Sequence, residues 1–195
     1  MELFVNNEKL DVSLENEKTV GDVLKAFEVE CEKNQAATIA IAVNGKNVAA
    51  ADFEIVSAME LTQETKIELT VLNLSEIDNA FEMAATDFEA LGEKLEQVSV
   101  LIQSGKDKDV NALIKQTADA IDNFCHIVAY SALFPEAYSN ITIEGKSVSD
   151  FFAEFSPVLH DFESALESKD TVLTGDLAEY ELAPRIKAIA QAIRR

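Results

Sequence analysis

The side chains that most often carry nucleophilic or proton-shuttling chemistry at neutral pH are scarce, with two Cys and two His among 195 residues. Cys31 and Cys125 lie far apart and form no Cys-x-x-Cys pair, so neither a disulfide framework nor a zinc site is expected. Each falls at an apolar position of a predicted helix and reads as a buried free thiol. Cys125 and His126 are adjacent, which on a helix turns them about 100° apart and makes a poor nucleophile–base dyad. A di-iron carboxylate site would need Glu-x-x-His, but the residues three before His126 and His160 are Asn123 and Pro157. Asp161 and Glu163 flank His160 beside the apolar positions Leu159 and Phe162, a pattern expected of a solvated histidine. The sequence contains no G-x-S-x-G, Walker loop, H-E-x-x-H or G-x-G-x-x-G. The expectation is a protein that is not an enzyme, with no catalytic residues, no cofactor and no metal.

Charge carries more information than reactivity. Sixteen Lys and Arg against 36 Asp and Glu give a net charge of −20. Affinity for a phosphate backbone comes mainly from clustered cations, so nucleic acid is excluded as a partner. The acidity is uneven: residues 1–72 carry six Lys and 14 acids, and residues 73–182 carry six Lys and 22 acids. From Ala183 onward the sign reverses, with Arg185, Lys187, Arg194 and Arg195 and no acid. This basic end either contacts a partner or lies against the chain's own acids at a helix C-terminus, where cations are favoured. One short basic helix on so acidic a chain makes a poor membrane anchor. The N-terminal residues lack the basic and apolar regions of a signal peptide, and no apolar run approaches the roughly 20 residues that span a bilayer, so the expected location is the cytoplasm.

Two periodicities divide the chain near residue 74. In residues 1–72, Glu2 to Asn6 and Leu10 to Leu14 alternate about a turn at Asn6-Asn7, predicting a hairpin. Thr19 is a candidate N-cap for a helix whose Val20, Leu24, Phe27 and Cys31 share one face. Thr38 to Val43 then runs to Asn44-Gly45, a pair that tolerates the positive φ of a tight hairpin, with a return strand from Val48. Strict alternation from Ile67 to Val71 predicts the last strand. The order is that of a β-grasp domain, one helix across a mixed sheet.

The residues carry a more specific resemblance. Thr19-Val20-Gly21-Asp22-Val23-Leu24 resembles the helix start of the thiamine-pathway sulfur-carrier family, and Ile41-Ala42-Val43-Asn44-Gly45-Lys46-Asn47-Val48 resembles its hairpin. Asp52-Phe53 resembles a polar-aromatic step of that family. The likeness covers about the first third of the chain and implies a ubiquitin-like fold. It does not extend to the chemistry, because that family works through a free C-terminal Gly-Gly, and here Leu72-Asn73-Leu74-Ser75 continues into 120 further residues with no Gly-Gly anywhere. What the resemblance implies is a scaffold with an exposed sheet surface suited to a partner.

From Leu74 the period becomes that of packed helices. Leu74, Ile77, Phe81, Ala84, Phe88, Leu91, Leu95, Val98 and Ile102 alternate spacings of three and four, predicting one long seam. After Ser104-Gly105 a second series runs from Val110 through Ile114, Thr117, Ile121, Phe124 and Val128 to Ser131, and a third from Val148 through Phe152, Phe155, Leu159 and Phe162 to Leu166. The fourth stretch, Thr171 to Arg195, is divided by Pro184. Ser75 and either Ser147 or Ser149 are candidate caps, Pro157 and Pro184 predict kinks or breaks, and Ile141 to Lys146 predicts a small extended excursion.

These patterns predict an α+β chain, with a β-grasp domain at residues 1–74 and an all-α four-helix bundle at 75–195. The function expected is that of a non-catalytic adaptor or chaperone-like binder of another protein, using a sheet edge or a bundle groove. Candidate contact residues are Phe134 and Tyr138 at the Pro135 corner, Tyr180 beside the Pro184 kink, and Arg185, Lys187, Arg194 and Arg195. Two rivals remain open: a metal-binding or enzymatic bundle using scattered carboxylates, and a homodimer paired through the 74–102 helix.

Overall fold

The computed structural model describes residues 1–194 and shows a mixed chain, an N-terminal sheet followed by a helical region. It divides into two compact units, Met1–Glu76 and Ile77–Arg195.

In the first unit, β1 (Glu2–Val5) and β2 (Glu8–Leu10) form a hairpin whose turn residues Asn6 and Asn7 hold φ of 49° and 69°. Asparagine accepts that conformation more readily than most side chains. Helix α1 (Val20–Lys33) opens on a reciprocal cap. The Thr19 hydroxyl accepts from the Asp22 N–H at 3.2 Å, and the Asp22 carboxylate accepts from the N–H groups of Thr19 and Lys18, each at 2.9 Å. Strand β3 (Ala36–Val43) turns through Asn44-Gly45, φ 52° and 75°, into β4 (Lys46–Asn47). The return strand thus begins at Lys46, not Val48, although the Val48 N–H still reaches the Ile41 carbonyl at 2.9 Å. A 3₁₀ turn (Ala50–Asp52) and a one-turn helix α2 (Phe53–Ser57) lead to β5 (Lys66–Asn73).

The sheet order is β2-β1-β5-β3-β4, with β5 parallel to β1 and antiparallel to β3. Leu3, Val43, Ile67 and Leu69 point from the sheet onto Val20 and Val23 of α1, forming the core. Fully burying such a side chain is worth about 1.5–3 kcal/mol relative to leaving it exposed. One asparagine of each hairpin turn reaches the central strand. The Asn6 side chain accepts from the Val71 N–H at 2.9 Å and donates to its carbonyl at 3.1 Å, while Asn44 Oδ1 accepts from the Lys66 N–H at 2.9 Å. One amide therefore grips each end of β5.

Helix α3 (Leu74–Leu95) follows β5 directly. Its cap is Asn73 and not Ser75: Asn73 Oδ1 accepts from the Glu76 N–H at 2.9 Å, the Glu76 carboxylate accepts from the Asn73 N–H at 2.8 Å, and the Ser75 hydroxyl donates to Asn73. The long seam expected to Ile102 breaks after Leu95. Gln97 N–H bonds the Lys94 carbonyl three residues back at 3.0 Å, tightening the last turn, and a separate α4 (Val98–Gln103) follows. Then come α5 (Asp107–Ser131), α6 (Pro135–Tyr138), the β6–β7 hairpin (Thr142–Ile143 and Lys146–Ser147) and α7 (Val148–Glu167). Ser147 caps α7 through the Asp150 N–H at 3.1 Å. Pro157 does not break α7; it and Ala153, whose carbonyl loses its helical donor, occupy exposed positions where solvent can serve that carbonyl.

The last stretch is α8 (Thr171–Asp176), a π-helical turn (Leu177–Leu182) and α9 (Ala183–Ile193). Pro184 has no N–H to offer one turn back, and the helix passes it by widening its register ahead of the proline. The second unit is built on aromatic packing: Phe124 lies 6.4 Å from Phe81, 5.8 Å from Phe88 and 6.0 Å from Phe152, ring centre to ring centre. These rings join α3, α5 and α7, and α9 adds the buried Ile186, Ile189 and Ile193. Cys125 is exposed, contrary to expectation, because the buried stripe of α5 passes through Phe124 and Ile127 and leaves Cys125 to the side. Cys31 is buried as expected. Among the described residues, no helix is long and apolar enough to cross a membrane.

Candidate functional site

The helix–hairpin corner that holds Phe134 and Tyr138 is a packing feature. Phe134 is half-buried at the N-cap of α6, where its carbonyl accepts from the N–H groups of Ala137 and Tyr138. Tyr138 is buried: its ring lies 5.4 Å from that of Phe81 and its hydroxyl donates to Asp78 Oδ1 at 2.8 Å. That removes Tyr138 from the set of side chains a partner can reach.

The basic end engages the chain's own acids. Arg185 Nη1 donates to the Glu181 carbonyl at 2.9 Å and to its carboxylate at 2.5 Å, so it serves a carbonyl of the π turn as well as an ion pair. Lys187 pairs with Glu96 and Arg194 with Glu89, each at 2.6 Å. Arg195 lies outside the described residues. Lys187, Ala190 and Gln191 of α9, with Arg194 just past its end, face Glu89 and Glu93 of α3 across a cleft of about 400 Å³. The cleft has both charge signs within it, and its cations are engaged by its rim.

Tyr180 is different. It is 64% exposed on the π turn, with Val172 72% exposed and Leu173 44% exposed in the helix before it. A hydrogen bond to the Glu179 carboxylate, then that group's charge, pushes the Tyr180 phenol above its ordinary range, and Asp176 adds in the same direction. Sequence reasoning singled out Tyr180 as a candidate contact, placed Leu173 only among the apolar positions of the fourth stretch, and did not name Val172. The signal available was the absence of any cation from Asp170 to Pro184, a segment holding four acids.

The first unit contributes a strand edge. Strand β4 pairs with β3 only at Ala42 and Val43, and Ile39 is bulged out of register with β5. Among the described residues, no strand pairs with the outer edge of β3 from Ala36 to Ala40. Beside β1, Leu3, Val12, Leu14, Val23 and Phe27 line an apolar recess of about 160 Å³.

Few groups are placed for acid–base or metal chemistry. His126 Nε2 lies 3.5 Å from Asp122 one turn earlier, both exposed. Burial, then the charge of Asp122, pushes the Cys125 thiol upward, away from a thiolate. Among the described residues, no three His, Cys, Asp or Glu side chains converge as metal ligands.

Comparison with known proteins divides the chain in the same region as its two units. Residues 1–73 match the family model described as TP0873 N-terminal domain. The chain is also similar to an uncharacterized protein of Treponema pallidum (strain Nichols), 28% identical over 193 residues that cover 99% of this chain and 96% of that one. No solved structure matches. Residues 79–192, more than half the chain and nearly all of its helical unit, match the model of the domain of unknown function DUF8042, and the chain belongs to that family.

Proposed function

We propose that this protein is a non-catalytic protein-interaction module of the cytoplasm, a β-grasp domain fused to a four-helix bundle. The strand order β2-β1-β5-β3-β4 with α1 over one face supports the β-grasp reading, and the shared core of α3, α5, α7 and α9 supports the bundle. The resemblance of residues 1–72 to thiamine-pathway sulfur carriers is a likeness of scaffold, since strand β5 passes into a helix where a carrier has its Gly-Gly tail. Pairing of two chains through α3 is disfavoured because Ile77, Phe81, Phe88, Leu91 and Leu95 are buried within a single chain.

The observation that carries the reading is the outer edge of β3 from Ala36 to Ala40, left without a neighbouring strand. Unpaired strand N–H and C=O groups bind an extended segment through main-chain hydrogen bonds. The test is capture on the intact chain from the cytosol of the cells that make it, repeated with Thr38→Pro, which removes a backbone donor of β3 that faces away from β5. A partner retained by the wild type and lost by the folded variant supports the reading. Capture of nothing, together with a monomeric elution on size exclusion, overturns it.

A further inference from the structure

We propose that the outward stripe of Val172, Leu173 and Tyr180, with Asp176 and Glu179 beside it, docks a cationic amphipathic helix of another protein. This inference rests on the reading of the chain as an interaction module and adds a second surface with a partner of stated chemistry.

The stripe is continuous. Val172 and Asp176 are four residues apart and Leu173 and Asp176 three apart, so all three share one face of α8. Asp176 and Tyr180, four residues apart, are both exposed while Thr174, Gly175, Ala178 and Leu182 are buried, which places the phenol on the same outward side. Three large apolar or aromatic side chains thus stand out of one helical face, at 72%, 44% and 64% exposure.

Charge selects the occupant. Of the four acids between Asp170 and Pro184, Asp170 is engaged in capping α8 through the Leu173 N–H at 3.0 Å, and Glu181 is paired with Arg185. Asp176 and Glu179 flank Tyr180, Glu179 accepting the phenol's hydrogen bond while keeping its charge. A Lys or Arg of a partner helix finds two carboxylates and the face of a phenol ring there, while apolar residues one turn along rest on Val172 and Leu173. A second copy of this chain, at −20, brings like charge to the stripe, and an anionic lipid surface or nucleic acid does the same.

The test uses the full chain and a fluorescein-labelled 18-residue peptide of Leu and Lys in an amphipathic helical pattern, followed by anisotropy at 0.15 M salt. Controls are the same peptide with Glu for Lys and an oligolysine of equal charge. The Leu/Lys peptide should bind, and the two controls at least tenfold more weakly. Val172→Ser with Tyr180→Ser should lower its affinity at least tenfold, as should Asp176→Lys, with Tm little changed because these side chains are exposed. Ile55→Ser, an exposed apolar position elsewhere, should have no effect. Equal binding of oligolysine, or affinity unchanged in the stripe variants, reduces the effect to general attraction and overturns the proposal. So does light scattering that shows a dimer dissolved by Val172→Ser. Thr38→Pro should bind the peptide as the wild type does. Lost peptide binding with partner capture intact therefore sinks the stripe alone, and lost capture with peptide binding intact leaves the stripe standing.

Discussion

Lys187 lies across Gly92: a β-carbon built on Gly92 would sit 2.5 Å from Lys187 Cγ. The missing side chain on α3 lets the stem of Lys187 cross the helix and place its ammonium on Glu96. Gly92→Ala sets two effects against each other. Helix propensity favours Ala by about 1 kcal/mol, and overpacking costs about 1–3 kcal/mol. The clash involves the rooted part of the lysine stem and not its mobile tip, so a net loss of stability is expected. In a Lys187→Ala background the same change should become neutral or stabilising, and denaturant melts of the four proteins close the cycle.

Tyr138 tests whether the Pro135 corner is packing or contact surface. Tyr138→Phe should cost about 1 kcal/mol by removing the bond to Asp78, and Tyr138→Ala about 3–5 kcal/mol by emptying the space beside Phe81. Neither should change binding of a partner once the folded fraction is accounted for. A loss of binding by folded Tyr138→Phe would contradict the structural role.

The reciprocal cap of α1 predicts a pH effect. Two backbone N–H groups, those of Lys18 and Thr19, and then the Thr19 hydroxyl hold the Asp22 carboxyl below its usual range. A carboxyl with a lowered folded pKa contributes stability above its unfolded value, near about 4, and loses it as pH falls through the folded value. Thr19→Ala should cost about 1 kcal/mol. Asp22→Asn should flatten the acid side of the stability profile, measured by urea melts from neutral pH downward.

The ion pairs of the basic end are exposed or half-exposed and are expected to be weak. Arg194→Ala should cost less than about 1 kcal/mol, and the difference should shrink as salt rises. A larger, salt-independent loss would mean that the aliphatic stem matters more than the charge.

The two thiols should separate under alkylation of the native protein. Cys125 is exposed and Cys31 buried, so iodoacetamide should label Cys125 first. Burial raises both thiols, and reaction needs the thiolate, so labelling of Cys125 should be slow at neutral pH and accelerate as pH rises. Mass spectrometry of partly labelled protein decides the order.

The elements that were legible in the sequence are those whose signals are local. The Thr19 cap, the asparagine turns and the alternation from Ile67 to Val71 are written within a few residues each, and the structure places them accordingly, adding Asp22 as the cap's partner. The break after Leu95 was not legible, because Leu95-Glu96-Gln97-Val98 contains neither Gly nor Pro and keeps its apolar spacing through the turn. Pro157 misled in the opposite direction, since a proline's cost depends on which side of the helix its orphaned carbonyl faces. For the candidate sites, residue type and charge singled out Tyr180 and the basic end, and the structure engages the described cations of that end with the chain's own acids. Exposure, which only packing determines, moved Tyr138 into the core and brought Val172 and Leu173 out.

The central strand of the sheet is the last one in the sequence. While the chain is being made, the β1–β2 and β3–β4 hairpins leave the ribosome first, each with one side lacking its neighbour. Only when residue 73 has emerged can β5 enter between them and be gripped by Asn6 and Asn44. The first unit is therefore completed by an insertion and not by an addition at the rim, and until β5 enters, β1 and β3 each keep open a side that the finished sheet covers.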